Sequence, residues 1–531
     1  MPFIAKELFA DTRNRYRLFR EHILPQLRAK REQLNALYCL DNGRPAIDPV
    51  VACGVSMLQF MEKAVDRKAE ENVRLHLGWK YALDLEVDYN GFDHSSLRNF
   101  RDRLLEGGAE RIGFDALLDG LRATGLVKRR CKQRLDSTHV LGSVAKMSRL
   151  ELVRETLRLV LEWLDGMKDV RKRLPGYDGL REKYVESDIP WHRVSLETLS
   201  EKFVEAGRDA LLLICWARQQ PRTLCEDDRV LLLERVFLEQ YELSAEGSER
   251  RKVEGSGVVK NPHDPDVQWA AKNLAATKQW EGYKVQIAET VADEPAAKEN
   301  AEVTDQFVVE VVTTQAITSD LAGMKAVLES EQAHGQPMPI ALHVDAAYVT
   351  DDTLAEAQKE GLELIGPARP CGNAPGNGFG AEQFDVSNAN RRAVCPAGHE
   401  SRQCSLINDA HKAAAYFRYE WASLCDDCPL REQCTKSRKG RRILAVGVHH
   451  DLLQQRRRQM QTQAYQQLMR HRNGIEGTIS EFARAGGRRT RYRSLAKTRL
   501  ANYFQAAAVN ANRWIRLIQW QRNENMVEMI A

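Results

Sequence analysis

Apolar residues recur at helical spacing through the first part of the chain, and residues 1–125 are therefore predicted to form an all-helical domain. The clearest helix start is at residues 93–96, where Asp and Ser side chains are good caps for the helix that follows. Arg98, Arg101 and Arg103 are predicted to turn outward from this helix. An arginine face of this kind suits a DNA-binding module of the helix-turn-helix type, but a purely structural helical domain explains it equally well.

The helical period returns after residue 147. Leu150 to Leu164 form a wide apolar stripe, and the pattern repeats near residue 230. Residues 244–266 are polar and rich in glycine, which is typical of a linker or a mobile surface loop. The pattern predicts a helical insertion followed by a linker.

Around these helices the period changes to two, as expected for strands. Residues 134–140 predict a strand with Asp136 near its middle, and residues 283–289 and 307–312 predict two consecutive strands. Residues 340–344 alternate in the same way and end at Asp345. Ligands of open α/β sheets bind at the carboxyl ends of strands, so Asp345 lies where chemistry usually happens. Taken alone, each aspartate is better explained as a side chain that faces solvent or caps a turn, and only the further acidic positions favour a site.

A third acidic position belongs to the helical C-terminal part of the chain. Glu476 falls in the first turn of a predicted helix, Arg472 comes just before it, and Glu481 is the rival acid five residues later. Three carboxylates from two strands and a helix predict a hard-oxygen site for two Mg²⁺ ions. Such ions activate a hydroxyl nucleophile and stabilise the leaving oxygen in phosphoryl transfer, and the carboxylates should then lie within about 8 Å of one another.

Composition narrows the class of protein. With 531 residues, 43% hydrophobic and 29% charged, the chain is that of an ordinary globular protein, and its longest apolar run, residues 210–217, is far too short to span a bilayer. The amino-terminal residues are charged too early for a secretory signal. We therefore expect a cytoplasmic protein without a membrane partner.

Charge is unevenly distributed although the net charge is only +4. Residues 482–523 contain no Asp or Glu, and a segment of one sign suits a polyanion such as DNA. The alternative is that its cations pair with acids of the helical insertion. The cations of this segment that we predict to contact DNA are Arg484, Arg488, Arg489, Arg491, Arg493, Lys497 and Arg499.

Five of the eleven cysteines crowd into residues 395–434. Cys425 and Cys428 form a C-x2-C pair, Cys434 follows, and Cys395 or Cys404 is available as a fourth ligand, with His399 as a further candidate. This pairing predicts either a structural zinc site, whose sulfurs would lie 3.5–4 Å apart at about 2.3 Å from the metal, or reduced free thiols. For the zinc site we expect the set Cys395, Cys425, Cys428 and Cys434.

In order and spacing, the motifs LDST at Asp136, HVDAAY at Asp345 and RNGIEGT at Glu476 resemble those of the DDE transposases of bacterial insertion sequences. Residues 43–50 and 93–104 resemble the helical N-terminal domain of these enzymes, so that the resemblance covers nearly the whole chain. It implies a ribonuclease-H-like mixed-sheet core and an all-helical N-terminal domain. The chain departs from many shorter relatives by its helical insertion, and with the Cys-rich insertion we expect an α+β multidomain protein. The expected boundaries are 1–125 for the N-terminal domain, 126–146 for the first core strand, 147–265 for the helical insertion and linker, 266–385 for the core, 386–445 for the Cys-rich insertion and 446–531 for the C-terminal helices.

The resemblance also implies roles for single residues. Asp136, Asp345 and Glu476 would be the triad that binds two Mg²⁺ (or Mn²⁺) ions, and Arg472 matches the arginine of the Y-R-E-K signature of related transposases. The chain departs from that signature at two places. Met469 takes the place of the tyrosine, with Tyr465 one turn earlier, and Ala483 takes the place of the lysine, next to Arg484.

The implied function is DNA transposition. Such an enzyme binds the terminal inverted repeats of its element, cuts the 3′ ends and joins them to target DNA, and we expect a homodimer on double-stranded DNA in the bacterial, nucleoid-associated cytoplasm. The alternatives are a ribonuclease-H-like nuclease or resolvase that cuts without joining, and a catalytically inactive, domesticated relative that only binds DNA.

Overall fold

The computed structural model of the protein describes residues 7–39, 47–187, 194–244, 247–251, 257–272, 278–292, 304–369, 378–409, 414–435, 437 and 441–530. Its strands in chain order are β1 (Lys132–Leu141), β2 (Tyr241–Ser244), β3 (Gly247–Arg250), β4 (Gln268–Ala271), β5 (Gln279–Thr290), β6 (Val308–Gln315), β7 (Ala341–His343), β8 (Glu363–Ile365), β9 (Asp385–Ser387), β10 (Arg392–Val394), β11 (Gln403–Asp409), β12 (Ala414–Glu420) and β13 (Ile443–Gly447).

The central sheet has the strand order β6–β5–β1–β7–β8, and β4 pairs with the first residues of β5. β1 is antiparallel to β5 and parallel to β7, β5 and β6 are antiparallel, and β7 is parallel to β8. The predicted α+β class with a mixed sheet is confirmed, and this strand order is compatible with the predicted ribonuclease-H-like core. The alternation along the chain thus located β1, β5, β6 and the short β7.

The α-helices of the described chain fall into three groups along the sequence. Before β1 the α-helices are Arg15–Leu18, Leu24–Ala29, Arg31–Asn35, Pro49–Met61, Asp66–Leu75, Leu77–Ala82, Ser95–Glu106 and Ile112–Ala123. Between β1 and β5 they are Arg149–Asp165, Lys168–Arg171, Tyr177–Arg181, Leu196–Arg218, Arg222–Cys225 and Asp228–Gln240. The later ones are Asp320–Ala333, Asp351–Glu360, Arg431–Cys434, His450–Met460, Gln463–Arg470, Gly474–Phe482 and Leu495–Ile530. Among the described residues, no helix is both long enough and apolar enough to cross a membrane.

One continuous hydrophobic core joins the N-terminal helices, the sheet and the long C-terminal helix. The Leu495–Ile530 helix packs on β6 on one side and on the Pro49–Met61 and Ile112–Ala123 helices on the other. Phe504 stacks on Phe60 with ring centroids 5.7 Å apart. The N-terminal helices are therefore held against the sheet by the C-terminal helix.

Two further cores are separate from the main one. The helical insertion buries its own set, which includes Leu157, Leu213 and Val236 from three different helices. The Cys-rich segment has a small core around Tyr419 and Trp421. Each insertion therefore has a hydrophobic core of its own, separate from the core around the central sheet.

The prediction of a linker or mobile loop over residues 244–266 is wrong for much of its described part. β2 and β3 form a hairpin, and Asn261 and Asp264 are buried. The Tyr283 hydroxyl on β5 donates a 2.6 Å hydrogen bond to Asp264, and the Asn261 amide donates to the Ala145 carbonyl at 2.9 Å. Polar, glycine-rich sequence usually indicates an exposed loop, whereas here the polar side chains connect the insertion to the sheet.

Candidate active site

The parallel register of β1 and β7 places the two aspartates side by side. The register pairs Arg134 with His343, where β7 ends. Asp136 lies two residues further along β1, and Asp345 lies two residues beyond the end of β7. Both carboxylates therefore stand at the carboxyl edge of the parallel part of the sheet, which is the usual place for a site in such sheets.

One guanidinium contacts all three predicted acids. Arg472 Nη2 lies 2.7 Å from Asp136 Oδ2 and 3.9 Å from Asp345 Oδ2, and its Nη1 lies 3.5 Å from Glu476 Oε1. Since Asp136 Oδ2 and Asp345 Oδ2 both contact Arg472 Nη2, these two oxygens lie within the distance of about 8 Å expected for a shared metal site. Exposure rises across the group, from 16% for the side chain of Asp136 to 39% for Asp345 and 70% for Glu476.

The surroundings of Asp136 raise the pKa of its carboxyl group. Burial raises its pKa above the ordinary value and the nearby Asp345 adds to this effect, while the Ser137 amide and Arg472 oppose it. The Ser137 amide donates to Asp136 Oδ1 at 2.7 Å, and the Ala347 amide donates to Asp345 Oδ1 at 2.7 Å. These bonds fix the orientation of both carboxylates.

The donor set fits a hard divalent cation. Three carboxylates and no soft ligand are the chemistry that Mg²⁺ and Mn²⁺ prefer. Asp136, Asp345 and Glu476 are therefore the residues that would hold such ions. In the described structure their carboxylate oxygens do not all lie within 4.8 Å of one another, because the Arg472 guanidinium stands between them.

The rival acid Glu481 points elsewhere. It lies on the same Gly474–Phe482 helix as Glu476, but its carboxylate binds Arg513 Nε at 2.8 Å and Arg516 Nη1 at 3.3 Å. This placement supports Glu476 over Glu481 as the third acid. The difference arises because the two residues are five positions apart and so project from different sides of the helix.

Tyr465 is part of the core and does not reach the acids. Its ring is buried near Ala341 and Ile365, with Met469 packed beside it. The Gly366 amide donates to its hydroxyl at 3.2 Å. Tyr465 is therefore a structural residue here and does not replace the missing tyrosine of the signature.

Arg488 lies beside β1, close to Asp136. Arg488 Nη1 donates to Thr138 Oγ1 at 2.9 Å, two residues from Asp136 on the same face of the strand. The backbone of residues 488–490 continues the sheet, since the Leu141 amide donates to the Arg488 carbonyl and the Thr490 amide donates to the Leu141 carbonyl, both at 2.9 Å. In the described part of the chain, the exposed side chains of Arg484, Arg489 and Arg493 have no hydrogen-bond or ion-pair partner. Their guanidinium groups are therefore free to bind another molecule.

Other predicted DNA contacts are engaged with protein. Arg101 is only 8% exposed and binds Asp66 at 2.5 Å, so the prediction that it turns outward is wrong. Lys497 binds Asp102 at 2.9 Å, and Arg499 binds Glu110. These acids belong to the N-terminal helices, not to the helical insertion that the alternative interpretation named.

Two further predicted DNA contacts, Arg491 and Arg98, remain at the surface of the protein. Arg491 donates to the Ala64 carbonyl at 3.3 Å but remains exposed. The side chain of Arg98 is 76% exposed and lies 3.7 Å from Asp102. Both remain accessible to a polyanion.

Sequence reasoning missed two charged residues beside the site. Asp320, at the start of the helix after β6, accepts hydrogen bonds from Ser137 Oγ at 3.2 Å and from Lys284 Nζ at 2.8 Å. Ser137 is the neighbour of Asp136, so this pair supports the strand on the face opposite Arg472. No local signal marks either residue, because an acid at a helix start and a lysine in a strand are common in any protein.

The four cysteines expected to bind zinc line one small cavity of about 20 Å³. Burial raises the pKa of Cys434, Arg442 lowers it, and the proximity of Cys395, Cys425 and Cys428 raises it further. Cys404 lies on β11 opposite Tyr419, outside this cavity, whereas His399 is part of the cavity wall. However, among these described cysteines no three sulfurs lie within 4.8 Å of one another, so the predicted spacing of 3.5–4 Å is wrong.

Comparison with known families gives two matches. A profile described as a transposase DDE domain matches residues 394–515, and one described as a transposase domain, DUF772, matches residues 4–103. The first match includes Arg472 and Glu476. The two matches support a DDE-type transposase of an insertion sequence.

The matches leave the middle of the transposase uncovered, including Asp136 and Asp345. No curated protein and no solved structure matches the chain. The roles of these two aspartates therefore depend on the geometry described above.

Proposed function

We propose that this transposase binds the terminal inverted repeats of its own element, cleaves the 3′ ends and joins them to target DNA. The observation that carries the proposal is the convergence of Asp136, Asp345 and Glu476 on one cationic centre at the edge of the sheet. The acids come from three distant parts of the chain, so their meeting is a property of the fold and not of any single motif.

Each residue of the site has a distinct task in this proposal. Mg²⁺ or Mn²⁺ held by the three carboxylates would supply activation of the attacking hydroxyl and stabilisation of the leaving oxygen. Asp136 and Asp345 are oriented by backbone amides, and Arg472 offsets part of the negative charge of the three acids. Water attacks in cleavage, and the resulting 3′ hydroxyl attacks in joining, with no covalent bond between protein and DNA.

DNA binding falls to the accessible arginines. Arg484, Arg488, Arg489 and Arg493 lie just beyond the helix that carries Glu476, so DNA held by them passes the carboxylates. Guanidinium groups bind phosphate in a bidentate manner, which positions the backbone without reading its sequence. Two element ends must be handled together, and we therefore propose a homodimer on DNA.

The test uses the ends of the element, taken from the DNA that flanks the gene. Asp136→Asn and Asp345→Asn should each abolish cleavage and joining in Mg²⁺ while the ends are still bound. Glu356→Gln, which changes an exposed acid on the Asp351–Glu360 helix, is the control and should act like wild type. A wild-type level of cleavage in either aspartate variant would remove that residue from the site.

The same assay separates the alternatives. A nuclease or resolvase would cut the ends but would not join a precleaved end to a plasmid. A domesticated, inactive relative would bind the ends and do neither.

A further inference from the structure

A cluster of buried charges lies directly beneath the three acids. At its centre is Glu289 of β5, which is completely buried. Its Oε1 accepts a hydrogen bond from Arg134 Nε of β1, and its Oε2 accepts one from Arg513 Nη1 of the C-terminal helix at 2.9 Å. Thr478 Oγ1 also donates to Glu289 Oε2, at 2.5 Å. Four elements therefore meet at a single carboxylate.

Two of these contacts hold the segment that carries Arg472 and Glu476. Arg134 Nη1 donates to the His471 carbonyl at 3.1 Å, immediately before Arg472. Thr478, two residues after Glu476, accepts from Arg513 Nη2 at 2.7 Å while it donates to Glu289. The segment is thus attached on both sides of Glu476. Arg134 is itself two residues from Asp136, so the same cluster reaches both acids through short lengths of backbone.

The approach of this helix to Arg134 is unusually close. A Cβ atom at Gly474 would lie 1.8 Å from Arg134 Nη1, so no larger residue fits at the helix start. Glycine at position 474 therefore allows the helix to approach Arg134 closely, and it is not needed there for a special backbone conformation.

Such a cluster is a poor source of stability. Removing several charges from water costs about as much as their mutual attraction returns, and apolar side chains of the same volume often stabilise a protein equally well. What a satisfied buried network supplies is a single orientation, since each hydrogen bond has a preferred direction. Metal ligands need this precision, because a productive site tolerates errors of only about 0.5 Å.

We infer that Glu289, Arg134, Arg513 and Thr478 are positioning residues that fix Glu476 and Arg472 relative to Asp136. The inference rests on the proposed function, because it concerns the geometry of the metal-binding acids. Thr478 offers the cleanest test, since its hydroxyl is both a donor and an acceptor in the cluster and valine has nearly the same shape.

The experiment is a titration of the purified, full-length protein with Mn²⁺ in the absence of DNA, followed by calorimetry or electron paramagnetic resonance. Thr478→Val should weaken Mn²⁺ binding by about tenfold, the smaller end of the range seen when support of metal ligands is removed. Thr478→Ser keeps the hydroxyl and should bind within about twofold of wild type. Glu289→Gln, which removes the central charge, should weaken binding at least as much as Thr478→Val.

The matched control is Glu310→Gln. Glu310 is also completely buried and binds Arg111 Nη1 at 2.5 Å, but it lies on β6 and joins the sheet to the N-terminal helices. This variant should lose thermal stability and keep wild-type Mn²⁺ affinity. Equal Mn²⁺ affinity in wild type, Thr478→Val and Glu289→Gln would overturn the inference even if the variants melt earlier. A wild-type protein that binds no Mn²⁺ would instead overturn the proposed metal site itself, and the positioning role with it.

Discussion

Arg472 occupies the centre of the three acids, and its replacement is the most direct probe of the site. Arg472→Gln keeps a polar side chain of similar length and removes the charge. Without divalent cations, the three carboxylates then repel one another with no common counter-ion. The variant should therefore be less stable than wild type in the presence of EDTA.

The size of the effect follows from the geometry of the ion pairs. An ion pair at 4 Å is worth about 4 kcal/mol at the effective dielectric constant near a protein surface, before the cost of desolvation is subtracted. Only the 2.7 Å pair with Asp136 is well shielded from water, whereas Glu476 is 70% exposed. Exposed pairs contribute less than about 1 kcal/mol each. We therefore expect a total loss of about 2 kcal/mol, most of it from Asp136.

Thermal melting with and without Mn²⁺ measures this loss. A change of this size should lower the melting temperature by only roughly 2–4 °C in EDTA, because a chain of 531 residues has a large entropy of unfolding. Saturating Mn²⁺ should remove most of the difference, because a bound cation supplies the missing charge and stabilises the folded state by mass action. Arg98→Gln is the matched control, because its guanidinium is exposed and has one weak partner at 3.7 Å.

Two results would contradict this reasoning. If Arg472→Gln melts like wild type in EDTA, the guanidinium is not the counter-ion of the acids. If the melting temperature falls equally with and without Mn²⁺, the contribution of Arg472 to stability does not come from the carboxylates.

Three further predictions concern other parts of the chain. Replacing Arg484, Arg489 and Arg493 by Ala should reduce the slope of log DNA affinity against log salt concentration by roughly 2–3 units, because each phosphate that is no longer neutralised removes about 0.9. The control Arg222→Ala, on the helical insertion, should leave the slope unchanged. An unchanged slope in the triple variant would show that these arginines do not face DNA. The four cysteines line one cavity, but their sulfurs are more widely spaced than in a zinc site, so a bound zinc must draw them together. Metal analysis should then find about one zinc per chain, absent from Cys425→Ser and kept in Cys215→Ser, and zinc-free wild-type protein would show that the four thiols bind no metal. Burial raises the pKa of Glu331 from 4.5 to about 7. As the pH rises, the carboxyl group therefore loses its proton in the unfolded state before it does so in the folded state. The free energy of unfolding should fall between these two pKa values by up to about 3 kcal/mol. Glu331→Gln cannot ionise and should be more stable than wild type at pH 8 but not at pH 5, as measured by denaturant unfolding; parallel pH profiles would contradict this.

Local patterns were sufficient for the strands and for the positions of the acids. Alternation marks β1, β5, β6 and β7 because each has at least one face buried in the core, and the end of an apolar run marks Asp345. The register between β1 and β7 depends on residues about two hundred positions apart. Sequence order alone does not determine it, so the adjacency of Asp136 and Asp345 was available only through the family resemblance.

Charged residues were the main source of error. Arg98 and Arg101 lie on the same helix and look alike in sequence, but Arg101 is adjacent to the apolar stripe of Leu97 and Leu104 and meets Asp66 from another helix. Its burial depends on a partner that no local pattern reveals. Glu289 was equally hidden, since a glutamate near the end of a strand normally faces solvent.

The buried ion pairs share one structural feature that explains why they are found where they are. Glu289 with Arg513 joins the sheet to the C-terminal helix, and Glu310 with Arg111 joins it to the N-terminal helices. Arg456 does the same for the His450–Met460 helix, through hydrogen bonds to the carbonyls of Leu364 and Gly366 at 2.7 and 3.0 Å. Apolar packing between a helix and a sheet supplies stability but tolerates sliding, whereas these bonds permit one arrangement. Removing one charge of such a pair costs stability, whereas replacing a whole pair by apolar side chains of the same volume is often neutral. The geometry of the acids can therefore be disrupted by substitutions that leave the fold intact.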